Sequence, residues 1–268
     1  MIALIAGTGA LPGLLADVLV ARGDPPVICA MAGFEPDIRA DLQHLRFRIE
    51  TLGTLLATLT QRGVTQICLA GAVRRPVIDL AAIDTATLPL IEPLKAAMAR
   101  GDDGTLRGII AIFEAHGFAV IGADQIAAGL LPVAGIPTRA QPLPQHKADA
   151  PIGLTEIARM GLADLGQACI VQNGRVLLRE GDAGTDAMIA QSALLPGSNL
   201  TTGILVKAPK PGQDRRADMP VIGPLTADLA AGAGLAGIVI QAGGVMVIDL
   251  PQVIARLDRQ GLFLWVRP

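Results

Sequence analysis

Six ionisable side chains crowd together at Lys207, Lys210, Asp214, Arg215, Arg216 and Asp218, in the segment KAPKPGQDRRADMPVIG of residues 207–223. Residues 187–206, just before them, carry none. Charge is scarce elsewhere, since the chain is 51% hydrophobic and only 17% charged. Lysines and arginines hold phosphate oxygens, and carboxylates hold a divalent metal or orient a water. Phosphoryl transfer needs those parts: a metal that bridges phosphate oxygens, cations that neutralise developing charge, and a carboxylate at the metal or the nucleophile. Pro209, Pro211 and Pro220 exclude a regular helix, so the groups belong to a shaped loop. If extended, that loop points Asp214, Arg216 and Asp218 one way and Arg215 the other. The plain alternative is a solvated surface loop whose charges pair with one another.

Smaller candidates lie elsewhere. Gly7-Thr8-Gly9 follows an apolar run at residues 2–6, and Pro12 suits the first turn of a helix. The backbone N–H groups of such a strand–turn–helix can receive a phosphate or carboxylate. A complete dinucleotide fingerprint wants glycine where Pro12 stands and an acid ending the second strand, which reads VICAMAG. A nicotinamide-dependent oxidoreductase therefore stays an alternative with two marks against it. Arg74 and Arg75 follow the third strand in GAVRRP, where an open parallel sheet places its ligands, and can clamp an anion. Asp102-Asp103 suits the dipole of a following helix or, alternatively, a metal. Gly184-Thr185-Asp186 opens another helix. Its Thr185 or Asp186 either caps that helix or supplies a carboxylate for a metal shared with the charged loop.

These groups need elements to position them. Strand signals at residues 2–6, 26–31, 65–70 and 118–122 alternate with helical spacing at 11–22, 51–62, 94–107 and 108–116. That alternation predicts an α/β fold with a Rossmann-like parallel sheet. Five prolines within residues 131–151 read as a linker. The expected division is an N-terminal domain at 1–133, a Pro-rich linker at 134–150 and a C-terminal α/β catalytic domain at 151–268. In the second half, a helix is expected near 154–165. Asn173-Gly174 then joins β-rich runs at 167–172 and 175–179 in a hairpin. A helix at 185–194, a strand at 203–207, a helix from Thr226, and strands at 237–241 and 245–249 complete the pattern.

Composition narrows the function classes. A net charge of −2, only 2% aromatic residues and no tyrosine argue against nucleic-acid binding. Cys29, Cys68 and Cys169 are far apart in apolar runs and read as buried thiols in a reduced compartment, the cytoplasm. With three scattered histidines they offer no zinc site. No segment reads as a signal peptide or membrane span. A mean hydropathy of +0.50 suits buried parallel strands and an apolar surface for a greasy ligand. The Pro-rich linker permits domain exchange between copies, so a homodimer is open.

The motifs GTGALPG at 7–13, GAVRRP at 71–76, GDDGTLR at 101–107, ADLGQACIVQNGRVL at 163–177, GTDAMI at 184–189 and KAPKPGQDRRADMPVIG at 207–223 resemble one family over essentially the whole chain. It is the magnesium-dependent, two-domain type of UDP-2,3-diacylglucosamine pyrophosphatase of lipid A biosynthesis. The resemblance implies hydrolysis of UDP-2,3-diacylglucosamine to UMP and 2,3-diacylglucosamine 1-phosphate, by water attack on the sugar-linked phosphorus. It implies Mg2+ as cofactor, and work at the cytoplasmic face of the inner membrane as a peripheral protein. Asp218, before Met219-Pro220, matches the family's essential acid. With that likeness, Asp218 and Asp186 are the expected metal ligands, and Asp214 is an auxiliary ligand or orienting group. Lys207, Lys210, Arg215 and Arg216 are expected to neutralise the diphosphate. Gly7, Gly9, Ala10, Leu11, Arg74, Arg75, Gln172, Thr185 and Gln213 are expected to bind substrate. One departure stands out: Ala183 occupies a position acidic in many members, and Glu180 or Asp182 are candidate substitutes. A non-catalytic module that binds nucleotide sugars or lipids is the remaining alternative.

Overall fold

A computed structural model describes residues 1–74, 76–192 and 200–268. Two compact units are present, one of Met1–Ala128 with Asp214–Asp218, the other of Gly129–Gln213 with Met219–Pro268. Both are α/β, as the alternation of signals requires.

The first unit contains β1 (Ile2–Ala6), α1 (Ala10–Ala21), β2 (Val27–Met31), β3 (His44–Phe47), α2 (Leu52–Gln61), β4 (Gln66–Ala70), α3 (Ile91–Met98), α4 (Gly101–Ala115), β5 (Ala119–Ile121) and α5 (Ala123–Ile126). Its parallel sheet runs β3-β2-β1-β4-β5. All five residues of β1 are buried, because helices cover both faces of a parallel sheet. Leu56, Leu59, Ile67 and Phe113 form part of the core. The sequence pattern does not show β3. His44 and Arg46 interrupt its apolar character, which an edge strand tolerates because one side meets water.

The second unit contains α6 (Pro144–Leu162), β6 (Ala168–Gln172), β7 (Arg175–Arg179), α7 (Gly184–Ser192), β8 (Ile204–Lys207), β9 (Val221–Ile222), α8 (Pro224–Gly232), β10 (Gly237–Gln241), β11 (Met246–Val247), α9 (Leu250–Gln260) and β12 (Phe263–Arg267). The main sheet is β12-β10-β8-β6-β7; β8, β10 and β12 are parallel, and β6 is antiparallel to both its neighbours. As a result β7, β8 and β10 all end at one edge. The β9–β11 pair forms a small separate sheet, so the strand expected at 245–249 shortens to two residues.

Residues 144–150, assigned to the linker for their prolines, are instead the opening turns of α6. Pro144 takes the first helical position, where its missing N–H costs nothing. Pro151 leaves only the Lys147 carbonyl without its intrahelical partner, and both residues are exposed to water that can replace it. The hairpin forms where expected, with Asn173 at φ 51 and Gly174 at φ 77, the two positive values of a tight primed turn. Buried Asp149 of α6 holds that turn, accepting from the N–H groups of Asn173 at 2.9 Å and Gly174 at 2.7 Å. The helix expected at 185–194 is α7; its last two expected residues lie outside the described residues. Helix α9 and strand β12 add to the elements expected from the sequence. Asp249 caps α9 by accepting from Gln252 N–H, and Gly261 ends it at φ 71.

Candidate active site

In the first unit the sheet changes direction between β1 and β4, the topological switch point where open α/β sheets bind ligands. Backbone builds this place. Thr8 N–H donates to Ala72 O and Ala72 N–H to Thr8 O, both at 2.9 Å, and Thr8 Oγ1 adds a bond to Ala72 O at 3.2 Å. The loop after β1 is thus laced to the loop after β4. Gly7 must be glycine here, because a Cβ would fall 2.4 Å from Ala72 O. Gly9 sits at φ 98, a value L side chains rarely adopt, and starts α1 with no side-chain cap. The first-turn N–H groups, including those of Ala10 and Leu11, therefore receive no side-chain oxygen from the capping residue. Arg74 is exposed on the second loop, and Arg75 lies outside the described residues.

The segment 214–218 packs in this same unit, with Ala217 against its core. It is not extended. Ala217 N–H and Asp218 N–H both donate to Asp214 O, at 3.1 and 3.2 Å, which closes a helical turn. The expected alternation along an extended loop is therefore corrected. Asp214 and Asp218 share a side because they are four residues apart on a turn. Arg216 grips Asp214 through Nε at 3.0 Å and Nη2 at 2.8 Å, and reaches Glu114 through Nη1 at 2.6 Å. The Arg216 hydrogen bonds hold the Asp214 carboxyl below the usual carboxylate range. Asp214 and Glu114 in turn push the Arg216 guanidinium further above its ordinary value. Arg216 thus shapes the turn. Arg215 is exposed, and Asp218 is half-buried.

In the second unit, side chains build the candidate site at the edge where β7, β8 and β10 end. Lys207, the last residue of β8, stands opposite Ala168, and Glu180 N–H donates to Ala168 O at 2.9 Å. Lys207 and Glu180 are thereby brought to one edge. Thr185, in the first turn of α7, joins them. Lys207 Nζ donates to Thr185 Oγ1 at 2.6 Å, and Thr185 Oγ1 donates to Glu180 Oε1 at 2.6 Å. Glu180 Oε2 accepts from Gln167 N–H, also at 2.6 Å. Lys207, Thr185 and Glu180 are all buried. Lys210 pairs with Asp164 at 2.9 Å, and Gln213 Oε1 accepts from Lys210 N–H at 3.0 Å. Gln172 donates to Thr202 Oγ1 at 2.8 Å, and Asp186 is exposed.

Lys210 and Arg216, both expected to neutralise the diphosphate, are held by carboxylates of the protein. Sequence reasoning missed three partners: Glu114, Asp164 and the linkage of Glu180 to Thr185. Glu114 and Asp164 meet cations 102 and 46 residues away, a pairing that carries no local signal. The three cysteines are buried as expected, and burial pushes the thiols of Cys29, Cys68 and Cys169 up to about 12.

Magnesium takes hard oxygen ligands and commonly uses one or two carboxylates, keeping waters and phosphate oxygens for the rest. No cluster of three or more His, Cys, Asp or Glu occurs among the described residues. Asp218 lies in the first unit and Asp186 in the second. The carboxylates of Asp218 and Asp186 are each hard oxygen donors of the kind magnesium takes. Asp214 fits poorly as a ligand, since Arg216 occupies both its oxygens.

Comparison with known proteins gives a concordant result. Residues 1–130 match the model of the LpxI N-terminal domain, and residues 133–265 that of the LpxI C-terminal domain. The chain is 36% identical over 266 residues to the UDP-2,3-diacylglucosamine pyrophosphatase LpxI of Caulobacter vibrioides, covering 97% of this chain and 95% of that protein. Among solved structures, the CobK precorrin-6A reductase aligns over all of this chain and 88% of its own, at 15% identity and a TM-score of 0.35, too slight a likeness to bear on fold or function. Both domain models match in order and leave few residues uncovered, so the chain belongs to the LpxI family.

Proposed function

We propose that this protein hydrolyses the diphosphate of UDP-2,3-diacylglucosamine to UMP and 2,3-diacylglucosamine 1-phosphate. The observation that carries this reading is the near full-length identity to a pyrophosphatase named for that substrate. Water attacks the sugar-linked phosphorus, its oxygen forming the new P–O bond. The bond from that phosphorus to the bridging oxygen breaks, and UMP leaves. Magnesium, when bound with the diphosphate, supplies Lewis-acid charge to the phosphate oxygens. Asp218 holds that charge or takes the water's proton, with Asp186 as the second carboxylate. Lys207 and Arg215 offset the negative charge that develops on the phosphate oxygens. Lys210 and Arg216 act through the loop, whose shape their ion pairs fix. The N–H groups of Gly9, Ala10 and Leu11, with Arg74 and Arg75, receive polar parts of the substrate; Gly7 N–H is spent on Ala70 O at 2.8 Å, so Gly7 serves by admitting the close approach of the loops. Gln172, Thr185 and Gln213 are further substrate contacts in this reading.

No helix among the described residues is long and apolar enough to cross a membrane. In this reading the protein meets its acylated substrate peripherally, at the cytoplasmic face of the membrane. The test is UMP release from detergent-dispersed UDP-2,3-diacylglucosamine, with and without a chelator, wild type beside Asp218→Ala. Release abolished by both treatments supports the reading. No release from folded wild type overturns it.

A further inference from the structure

Glu180 is a buried carboxylate with both oxygens engaged at 2.6 Å, one of them by the Thr185 hydroxyl. The hydroxyl of Thr185 has one proton. That proton goes to Glu180 Oε1, so the hydroxyl oxygen must face Lys207 as an acceptor. Gln167 N–H in turn pins the other carboxylate oxygen. The direction of every bond in the chain is thereby fixed, from backbone to carboxylate to hydroxyl to ammonium. Packing fixes the carboxylate stem too: a Cβ on Gly166 would come within 2.5 Å of Glu180 Cβ. A buried ammonium is costly unless it is paired and hydrogen-bonded. The Thr185 hydroxyl, oriented by Glu180, supplies one of those hydrogen bonds.

We propose that Glu180 is a positioning residue, which acts through the Thr185 hydroxyl to hold the Lys207 ammonium in place at the exit edge of β8. This rests on the hydrolase reading, in which Lys207 offsets charge on the phosphate oxygens. It gives Glu180 a role other than substitute for the acid missing at Ala183. It also makes Thr185 more than a helix cap. An interaction realised mainly in the transition state shows as a loss of kcat with KM little changed.

The experiment is a double-mutant cycle on UMP release from the dispersed substrate, with the melting temperature of each variant recorded. Glu180→Gln removes the charge, Thr185→Val removes the hydroxyl at nearly constant shape, Thr185→Ser restores it, and Lys207→Met removes the ammonium. Lys207→Met is expected to lose about 100-fold or more in kcat. Glu180→Gln and Thr185→Val are each expected to lose about 10-fold or more, with Thr185→Ser within about threefold of wild type. The deciding result is the double variant Glu180→Gln/Lys207→Met, expected to be no slower than Lys207→Met alone. A structural role would instead multiply the two losses, and would overturn the proposal. Glu180→Gln and Thr185→Val at wild-type rates, beside a crippled Lys207→Met, would overturn it while leaving the hydrolase reading intact. Wild-type turnover by Lys207→Met would remove that reading's assignment of Lys207, and the proposal with it. If Thr185→Val melts below the assay temperature, the Glu180→Gln cycle alone decides.

Discussion

The two candidate ligand edges are built from different materials. At the β1/β4 switch point of the first unit, reciprocal backbone bonds lace two loops together, with the Thr8 hydroxyl adding one side-chain bond. At the β7/β8 edge of the second unit, three buried side chains form a single file, and the backbone sets their register and anchors Glu180 through Gln167 N–H. A backbone-built site tolerates many substitutions but fails wherever a Cβ intrudes. A side-chain-built site fails at changes as small as one hydroxyl. The 214–218 turn combines the two modes, with a backbone turn closed by an Asp–Arg pair.

This contrast can be broken most decisively at the turn. Asp218→Ala is expected to lose roughly a thousandfold or more in turnover with the fold retained, as removing a metal-holding or proton-accepting carboxylate costs several kcal/mol of transition-state stabilisation. Turnover and circular dichroism of the same preparation check it, and near-normal activity would refute the assignment. At the backbone-built edge, Gly7→Val is expected to destabilise the first unit by about 1–3 kcal/mol, because the loops must part to admit a Cβ. Denaturant unfolding checks this; an unchanged midpoint would show that the lacing is dispensable. In the second unit, Asp149→Ala strips two N–H partners from the hairpin turn, for an expected loss of about 1–2 kcal/mol in the same assay.

The smallest expected effect concerns pH. Glu50, in the first unit, accepts from Arg48 and from Asp79 N–H, and the Arg48 hydrogen bonds are the main cause that lowers its carboxyl to about 2. The ordinary glutamate value is roughly 4.3. The folded value is the lower one, so this stabilisation is present above roughly pH 4.3 and is lost as pH falls towards 2. Glu50→Gln should therefore melt below wild type at neutral pH, with the gap closing between about pH 4 and 2. A constant gap across that range would assign the effect to shape rather than charge.

Local patterns were legible wherever one element carried its own signal. Strand β1, the Asn173-Gly174 hairpin and the α/β class all follow from apolar runs, turn residues and their spacing. Edge strand β3 was not legible, because an edge needs no continuous apolar run. The opening turns of α6 were hidden by Pro144 and Pro151, which break helices in general but are harmless at a first turn and on a wet face. Helix α9 carries local signals of its own, a cap at Asp249 and a stop at Gly261.

The candidate site divides in the same way. The sequence by itself determined the family, through long motifs such as KAPKPGQDRRADMPVIG, and the crowding of cations and carboxylates in one loop, because both are properties of neighbouring residues. Only the tertiary structure decided which of those charges are committed: Arg216 to Asp214 and Glu114, Lys210 to Asp164, and Lys207 to a hydroxyl backed by Glu180. A hydrogen bond requires contact within about 3 Å. Residues tens of positions apart reach that distance only after strands have paired and helices have packed, so no local pattern records it.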